Sequence, residues 1–184
     1  SHVSRVPMKQ TAKLWFAHAI PRVCIPRRMA RESAKSRRKS IMLIAAISDI
    51  HGNLPALEAV LADARKRGCT QLVNLGNILS GPLFPAETAE RLMALGLPTI
   101  RGNHERQLLE QSSDRMGASD AYAHGRLDTA QREWLRALPV SLRLSREVLL
   151  CHGTPRNDLE YFLEDVGDSG ARVAALDDVI ERAG

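Results

Sequence analysis

Cysteine is scarce in this chain and scattered. Cys24, Cys69 and Cys151 stand far apart, without a C-x-x-C pair, which argues against both a disulfide framework and a cysteine-held zinc site. A reducing, cytoplasmic setting is the expectation. Long hydrophobic runs are also missing: none reaches the ~18 residues of a membrane-spanning helix, and the stretch Leu14–Ile25 is interrupted by His18, Pro21 and Arg22. No membrane partner is therefore expected. Aromatic residues make up 4% of the chain, and none is interleaved with the basic cluster Arg37-Arg38-Lys39, so a stacking platform for single-stranded nucleic acid is lacking. There is no G-x-S-x-G, and Cys151 reads as the buried end of a strand rather than as a nucleophile.

What is present is a soluble, globular composition, 44% hydrophobic and 26% charged over 184 residues, enough for one domain and an appendage. The net charge of +5 is unevenly placed. Residues 1–41 hold 11 Lys and Arg against the single acid Glu32, while residues 42–184 hold 15 against 20 acids, a net of −5. Residues 1–41 thus read as a basic extension outside the core. It fits a disordered arm, a transit-type segment or sequence upstream of a start at Met42, the last being favoured. Nucleic acid is expected as a partner only through this tail. The domain proper is residues 42–184.

From Met42 onward, short apolar runs alternate with helical periods, the form of an α/β domain. Met42–Ile47 predicts a buried strand. A helix follows Asn53, carrying Leu54, Leu57, Val60 and Leu61 and stopping at Gly68. Gln71–Leu75 predicts a second strand, Ala86–Leu95 a second helix and Pro98–Ile100 a third strand. Leu127–Leu138 predicts a helix, Val140–Leu144 and Val148–Cys151 a hairpin, and Gly170–Arg182 a last helix. The acids Asp158, Glu160, Glu164 and Asp165 read as a solvent-facing helix. Polar loops end the strands, and ligands bind at the carboxyl ends of strands in open α/β sheets.

Those loops carry the chemistry. Asp49 and His51 lie two apart, so an extended backbone would turn both to one side; a carboxylate and an imidazole suit manganese, iron, zinc or nickel. A turn in which Asp49 caps the helix is the plainer alternative. Gly102-Asn103-His104-Glu105 adds an amide oxygen and an imidazole, with His104 suited to proton donation or phosphoryl binding, or to a structural hydrogen bond. Arg101 and Arg106 flank this loop and could meet a phosphate, although a solvated face is favoured. His2, His18 and His124 read as ordinary surface histidines.

Asp49-x-His51, Gly76-Asn77, Gly102-Asn103-His104-Glu105 and Cys151-His152-Gly153-Thr154-Pro155 together resemble the calcineurin-like metallophosphoesterases, in particular their small bacterial phosphodiesterase branch, over Met42 to about Val166. The resemblance implies a β-sandwich flanked by helices (αββα) and two divalent metals, manganese first, with iron, zinc or nickel as other candidates. It implies hydrolysis of a small phosphoester, a phosphodiester by preference, by activated water. Asp49 and His51 would hold one metal, Asn103 and His152 the other, position 77 would bridge them, and His104 would serve the leaving group.

Two departures stand out. The family pattern has aspartate where this chain has Asn77, and a neutral amide bridges cations poorly. An inactivating substitution, drift toward a non-catalytic binding module and a sequence error all fit. The pattern's later Gly-His-x-His loop has no counterpart before Gly184, so the chain is expected to lack the final strands and to be C-terminally incomplete. Hydrolysis of phosphoesters, impaired here, is the leading expectation, and a binding module on the same fold is the alternative.

Overall fold

The computed structural model describes residues 43–112 and 114–184; the expectations for residues 1–41 fall outside the described residues. Strands β1 (Ile44–Ile47) and β2 (Gln71–Asn74) pair in parallel, with Ile44 opposite Gln71 and Ile47 opposite Asn74. Helix α1 (Leu54–Lys66) links them. Asn53 caps it by accepting the Ala56 N–H at 3.1 Å. Pro55 sits in the first turn, where a missing N–H costs nothing. Leu57, Leu61 and Ala64 form the buried stripe at i, i+4 and i+7. Replacing Asn53 with alanine should lower stability by about 1 kcal/mol, measured by urea unfolding.

Four helices and a hairpin complete the central unit. They are α2 (Pro85–Leu95), α3 (Asn103–Glu110), α4 (Ala118–His124), α5 (Thr129–Ala137) and the antiparallel pair β3 (Ser141–Arg143) and β4 (Leu149–Cys151), with Leu142 opposite Leu150. Neighbouring residues of β2 serve different cores, as the two-residue period of a strand requires. Leu72 packs against the cluster of Leu57, Leu61, Leu92, Leu108 and Leu135, whereas Val73 packs with Ile100 and Leu150. The parallel pair is therefore covered by helices on one face and by the hairpin on the other, as parallel strands demand.

The expected third strand is reduced to one parallel bridge, Asn74 to Thr99. Pro98 has no N–H to extend the ladder, and the Arg101 N–H turns away to the Pro139 carbonyl at 2.9 Å. Helices α3 and α4 are additions to the sequence reading. The loop at Gly102 is the start of α3, with Asn103 its first residue.

The C-terminal stretch differs most from expectation. Residues 170–182 are not one helix: β5 (Glu164–Gly167) and β6 (Gly170–Val173) form a hairpin, followed by α6 (Leu176–Ala183). The helical spacing of Val173, Leu176, Val179 and Ile180 crosses two elements, because Gly170 at φ 105° closes the turn of a hairpin. Nor do the acids from Asp158 to Asp165 form a helix. The backbone at Thr154 folds back to the Asn157 carbonyl at 2.9 Å, and three of the four acids find separate partners: Asp158 binds Arg106, Glu160 accepts from Thr154, and Asp165 binds Arg182, while Glu164 opens β5. Cys151 is half-buried, while Leu150 is the inward residue of β4. β6 and α6 bury none of their apolar side chains: Val173 is 85%, Leu176 72% and Ile180 60% exposed.

Candidate functional site

Beyond the strands, the β1 and β2 loops stay hydrogen-bonded: Asp49 N to Gly76 O at 3.0 Å, His51 N to Asn77 O at 3.1 Å and Gly52 N to Ile78 O at 2.8 Å. This ladder is not extended. Asp49, His51 and Asn77 have φ of 55°, 50° and 55°, in the left-handed region that Asp, Asn and His tolerate better than other residues. The backbone here is therefore left-handed and not extended as expected, yet the two side chains still meet: His51 Nε2 lies 3.6 Å from Asp49 Oδ1.

The structure brings together all six residues singled out in the sequence. Asn77 is central. Its Nδ2 donates to Asp49 Oδ1 and to Asn103 Oδ1, each at 3.1 Å, and its Oδ1 accepts the His104 backbone N–H at 3.1 Å. His152 Nε2 lies 3.1 Å from Asn103 Oδ1. The Nδ1 atoms of His51 and His152 contact the carbonyls of Ser80 at 2.6 Å and Leu75 at 2.7 Å. Carbonyls accept only, so both Nδ1 atoms donate and both Nε2 atoms turn inward, the orientation in which outer contacts usually hold metal-binding imidazoles.

Charge is concentrated here. Burial pushes the Asp49 carboxyl up, but His51, the Ser48 hydroxyl, the Asn77 amide and the field of His152 outweigh it and hold the group at about 2. His51 is raised by Asp49 against the opposing effect of burial, with the Ser80 carbonyl adding to the rise.

Two side chains that the sequence reading left without roles organise the site. Glu105 is fully buried. Its Oε2 accepts the backbone N–H groups of Asn77 and Gly102, both at 2.8 Å, and its Oε1 accepts that of Ile78 at 2.7 Å. One carboxylate therefore ties the β2 loop to the start of α3. Asp120, also buried, holds His104 Nδ1 at 3.0 Å. Glu105 was visible within its motif, but Asp120 belongs to none; only the packing of α4 against α3 discloses it. Arg106, expected on a solvated face, makes a bidentate pair with Asp158, both bonds at 2.8 Å. His124 lies 3.5 Å from Arg132.

The donor set can be tested for divalent cations. Asp49 with His51, and Asn103 with His152, are two grips of an oxygen and an inward imidazole nitrogen. Each has two donors where a closed divalent site commonly uses four. Between them stands the Asn77 amide, whose N–H groups point at the very oxygens a cation would take. The orientation is not free to reverse, because the His104 N–H needs the amide oxygen. Among the described residues, no cluster of three or more His, Cys, Asp or Glu is placed to hold a metal. The residues as arranged do not fit a two-metal centre.

The family profile described as calcineurin-like phosphoesterase matches residues 42–179. An uncharacterized protein of Methanocaldococcus jannaschii is 30% identical over 136 residues, 68% of this chain and 56% of that protein. The crystal structure of a metallophosphoesterase from Sphaerobacter thermophilus aligns with a TM-score of 0.56 at 30% identity, over 66% of this chain and 51% of that one. A structure provisionally described as a diadenosine tetraphosphatase aligns with a TM-score of 0.50 at 21% identity, over 73% and 65% of the two chains, a likeness of fold alone. The chain spans little more than half the length of the first two relatives.

Proposed function

This chain belongs to the calcineurin-like phosphoesterases, and we propose that its site is built for hydrolysis of a phosphodiester, with His104 serving the leaving group. The α/β fold is that of the family. The observation that carries the proposal is the pairing of His104 with the buried Asp120 at 3.0 Å, beside the convergence of Asp49, His51, Asn103 and His152.

A buried carboxylate on Nδ1 fixes the ring and favours a proton there. The Nε2 atom is left as the working end, and the ring stands edge-on to His51 with centroids 5.2 Å apart. In hydrolysis a water oxygen bonds to phosphorus and gives up a proton to solvent while the bond to one ester oxygen breaks, and that oxygen departs as an alcohol once it gains a proton. A His104 bearing protons on both nitrogens supplies the proton from Nε2. Asp120 keeps the ring in place through its contact with Nδ1, so it is a positioning residue. A phosphodiester is preferred because Gly102-Asn103-His104-Glu105 and His152-Gly153-Thr154-Pro155 resemble the motifs of the phosphodiesterase branch; the proton donor itself would serve any alkoxide leaving group.

Metal ions, manganese first, would lend the family's charge neutralisation and water activation. Asp49, His51, Asn103 and His152 are the residues of this chain inclined toward them, and Asn77 weakens that capacity. Asn77 also favours a second reading, a non-catalytic binding module on the same fold.

The test is release of nitrophenol from bis(p-nitrophenyl) phosphate in Mn2+ by the chain, by Asn77→Asp and by Asn77→Asp/His104→Asn. The expected result is turnover that rises in Asn77→Asp and, on adding His104→Asn, falls little for this aryl ester but about 100-fold for a dialkyl phosphodiester, whose alkoxide needs the proton. Asp120→Asn in the same background should lower kcat less than His104→Asn and leave KM unchanged, as expected for a residue that only orients the ring. No turnover in any variant would leave the binding module as the better reading.

A further inference from the structure

The Asn77 amide raises a question about what holds this site together. In a two-metal site the cations draw the oxygens of opposing loops toward one another; removing them leaves acceptors facing acceptors, an arrangement that repels. Here the same approach is achieved without them. Asn77 Nδ2 lies 3.1 Å from both Asp49 Oδ1 and Asn103 Oδ1, so one N–H goes to the β1 loop and the other to the start of α3.

The amide is itself gripped from three directions. Its oxygen takes the His104 N–H. Its backbone N–H goes to Glu105 Oε2 at 2.8 Å, and its backbone carbonyl takes the His51 N–H at 3.1 Å. The residue is buried. Turning the side chain over would set N–H against N–H at His104 and oxygen against oxygen at Asp49 and Asn103.

We infer that the Asn77 side-chain amide takes the structural place of the bridging cation charge, cross-linking the β1 loop to α3, so that this chain assembles its site and keeps its stability without metal. An incoming cation has to expel two N–H groups from the oxygens it would bind. An aspartate at 77 reverses the dependence: its second oxygen faces Asp49 and Asn103, and at neutral pH a cation between them relieves the repulsion. This inference rests on the placement of the proposed site but not on its catalysis, since it is read by stability and metal binding.

The experiment is thermal unfolding of the full chain, Asn77→Asp and Asn77→Ala, each in EDTA and in millimolar Mn2+, with metal binding followed by calorimetry. The wild-type Tm should agree in the two buffers within about 1 °C. Asn77→Asp should melt roughly 5–10 °C lower in EDTA than in Mn2+, as expected for a ligand that binds only the folded state. Asn77→Ala, which loses the cross-link without gaining charge, should melt below wild type by the same margin in both buffers. A wild-type Tm that Mn2+ raises as far as that of Asn77→Asp would overturn the inference, as would an Asn77→Asp as stable as wild type in EDTA. If Asn77→Asp does not fold in EDTA, a cooperative melt restored by Mn2+ supports the inference and its absence overturns it. Neither outcome depends on turnover of a phosphodiester.

Discussion

Replacing Glu105 with glutamine is expected to lower the stability of the chain by about 2–4 kcal/mol, a loss readable as a shift in the midpoint of urea unfolding. The carboxylate is fully buried and accepts three backbone N–H groups, from Asn77, Ile78 and Gly102. Ionisation suits it to this task, because both oxygens then offer only lone pairs. A glutamine of the same shape must turn its own NH2 toward either the Ile78 N–H or the pair at Asn77 and Gly102. At least one buried donor loses its acceptor and faces another donor. Glu105→Ala should be worse, since all three N–H groups are stranded and a cavity opens beside them. A change below 1 kcal/mol for glutamine would mean that the backbone groups find water and that the carboxylate does not clamp the loops.

A second large loss, about 3–4 kcal/mol, is expected for Gly102→Ala. A Cβ at this position would stand 2.4 Å from Asn77 Oδ1, 2.9 Å from Asn77 N and 2.9 Å from His152 Cε1. None of these atoms can yield cheaply, because the amide is pinned by His104, Asp49 and Asn103, and the imidazole is anchored to the Leu75 carbonyl. The obstacle is space and not backbone conformation, for Gly102 has φ −100°, which any residue adopts. Gly76 adds the opposing surface: its own Cβ would meet Gly102 N at 2.4 Å. Two glycines back to back therefore set the distance between the β2 loop and α3. Thermal unfolding of Gly102→Ala measures the effect, and an unchanged Tm would show that the loops can part without loss.

The candidate site was more legible in the sequence than the elements that carry it. Asp49, His51, Asn77, Asn103, His104 and His152 converge because each follows the end of a strand or extended segment, and the apolar runs before them are plain. The backbone geometry at Asp49 and His51 was not legible, since a left-handed φ leaves no mark on residues that also occur in extended chains. Asp120 was invisible for a different reason: its role comes from helix packing across intervening sequence, and no local pattern encodes that. At the C-terminus the helical period of Val173 to Ile180 was a true regularity spread over a strand and a helix. Periodicity misleads where the turn between two elements preserves its phase.

The left-handed backbone at Asp49, His51 and Asn77 restricts what substitution can do to this site. A residue at position 77 has to tolerate φ of 55° and also present an oxygen to the His104 N–H. β-branched and bulky side chains fail the first requirement, and glycine and alanine fail the second. Asparagine and aspartate meet both, and their codons differ by a single base. The backbone thus confines position 77 to a choice between an amide that closes the site upon itself and a carboxylate that leaves it open to cations. A mutational scan of this position should recover few tolerated alternatives, and the one base separating these two sets the charge of the whole centre.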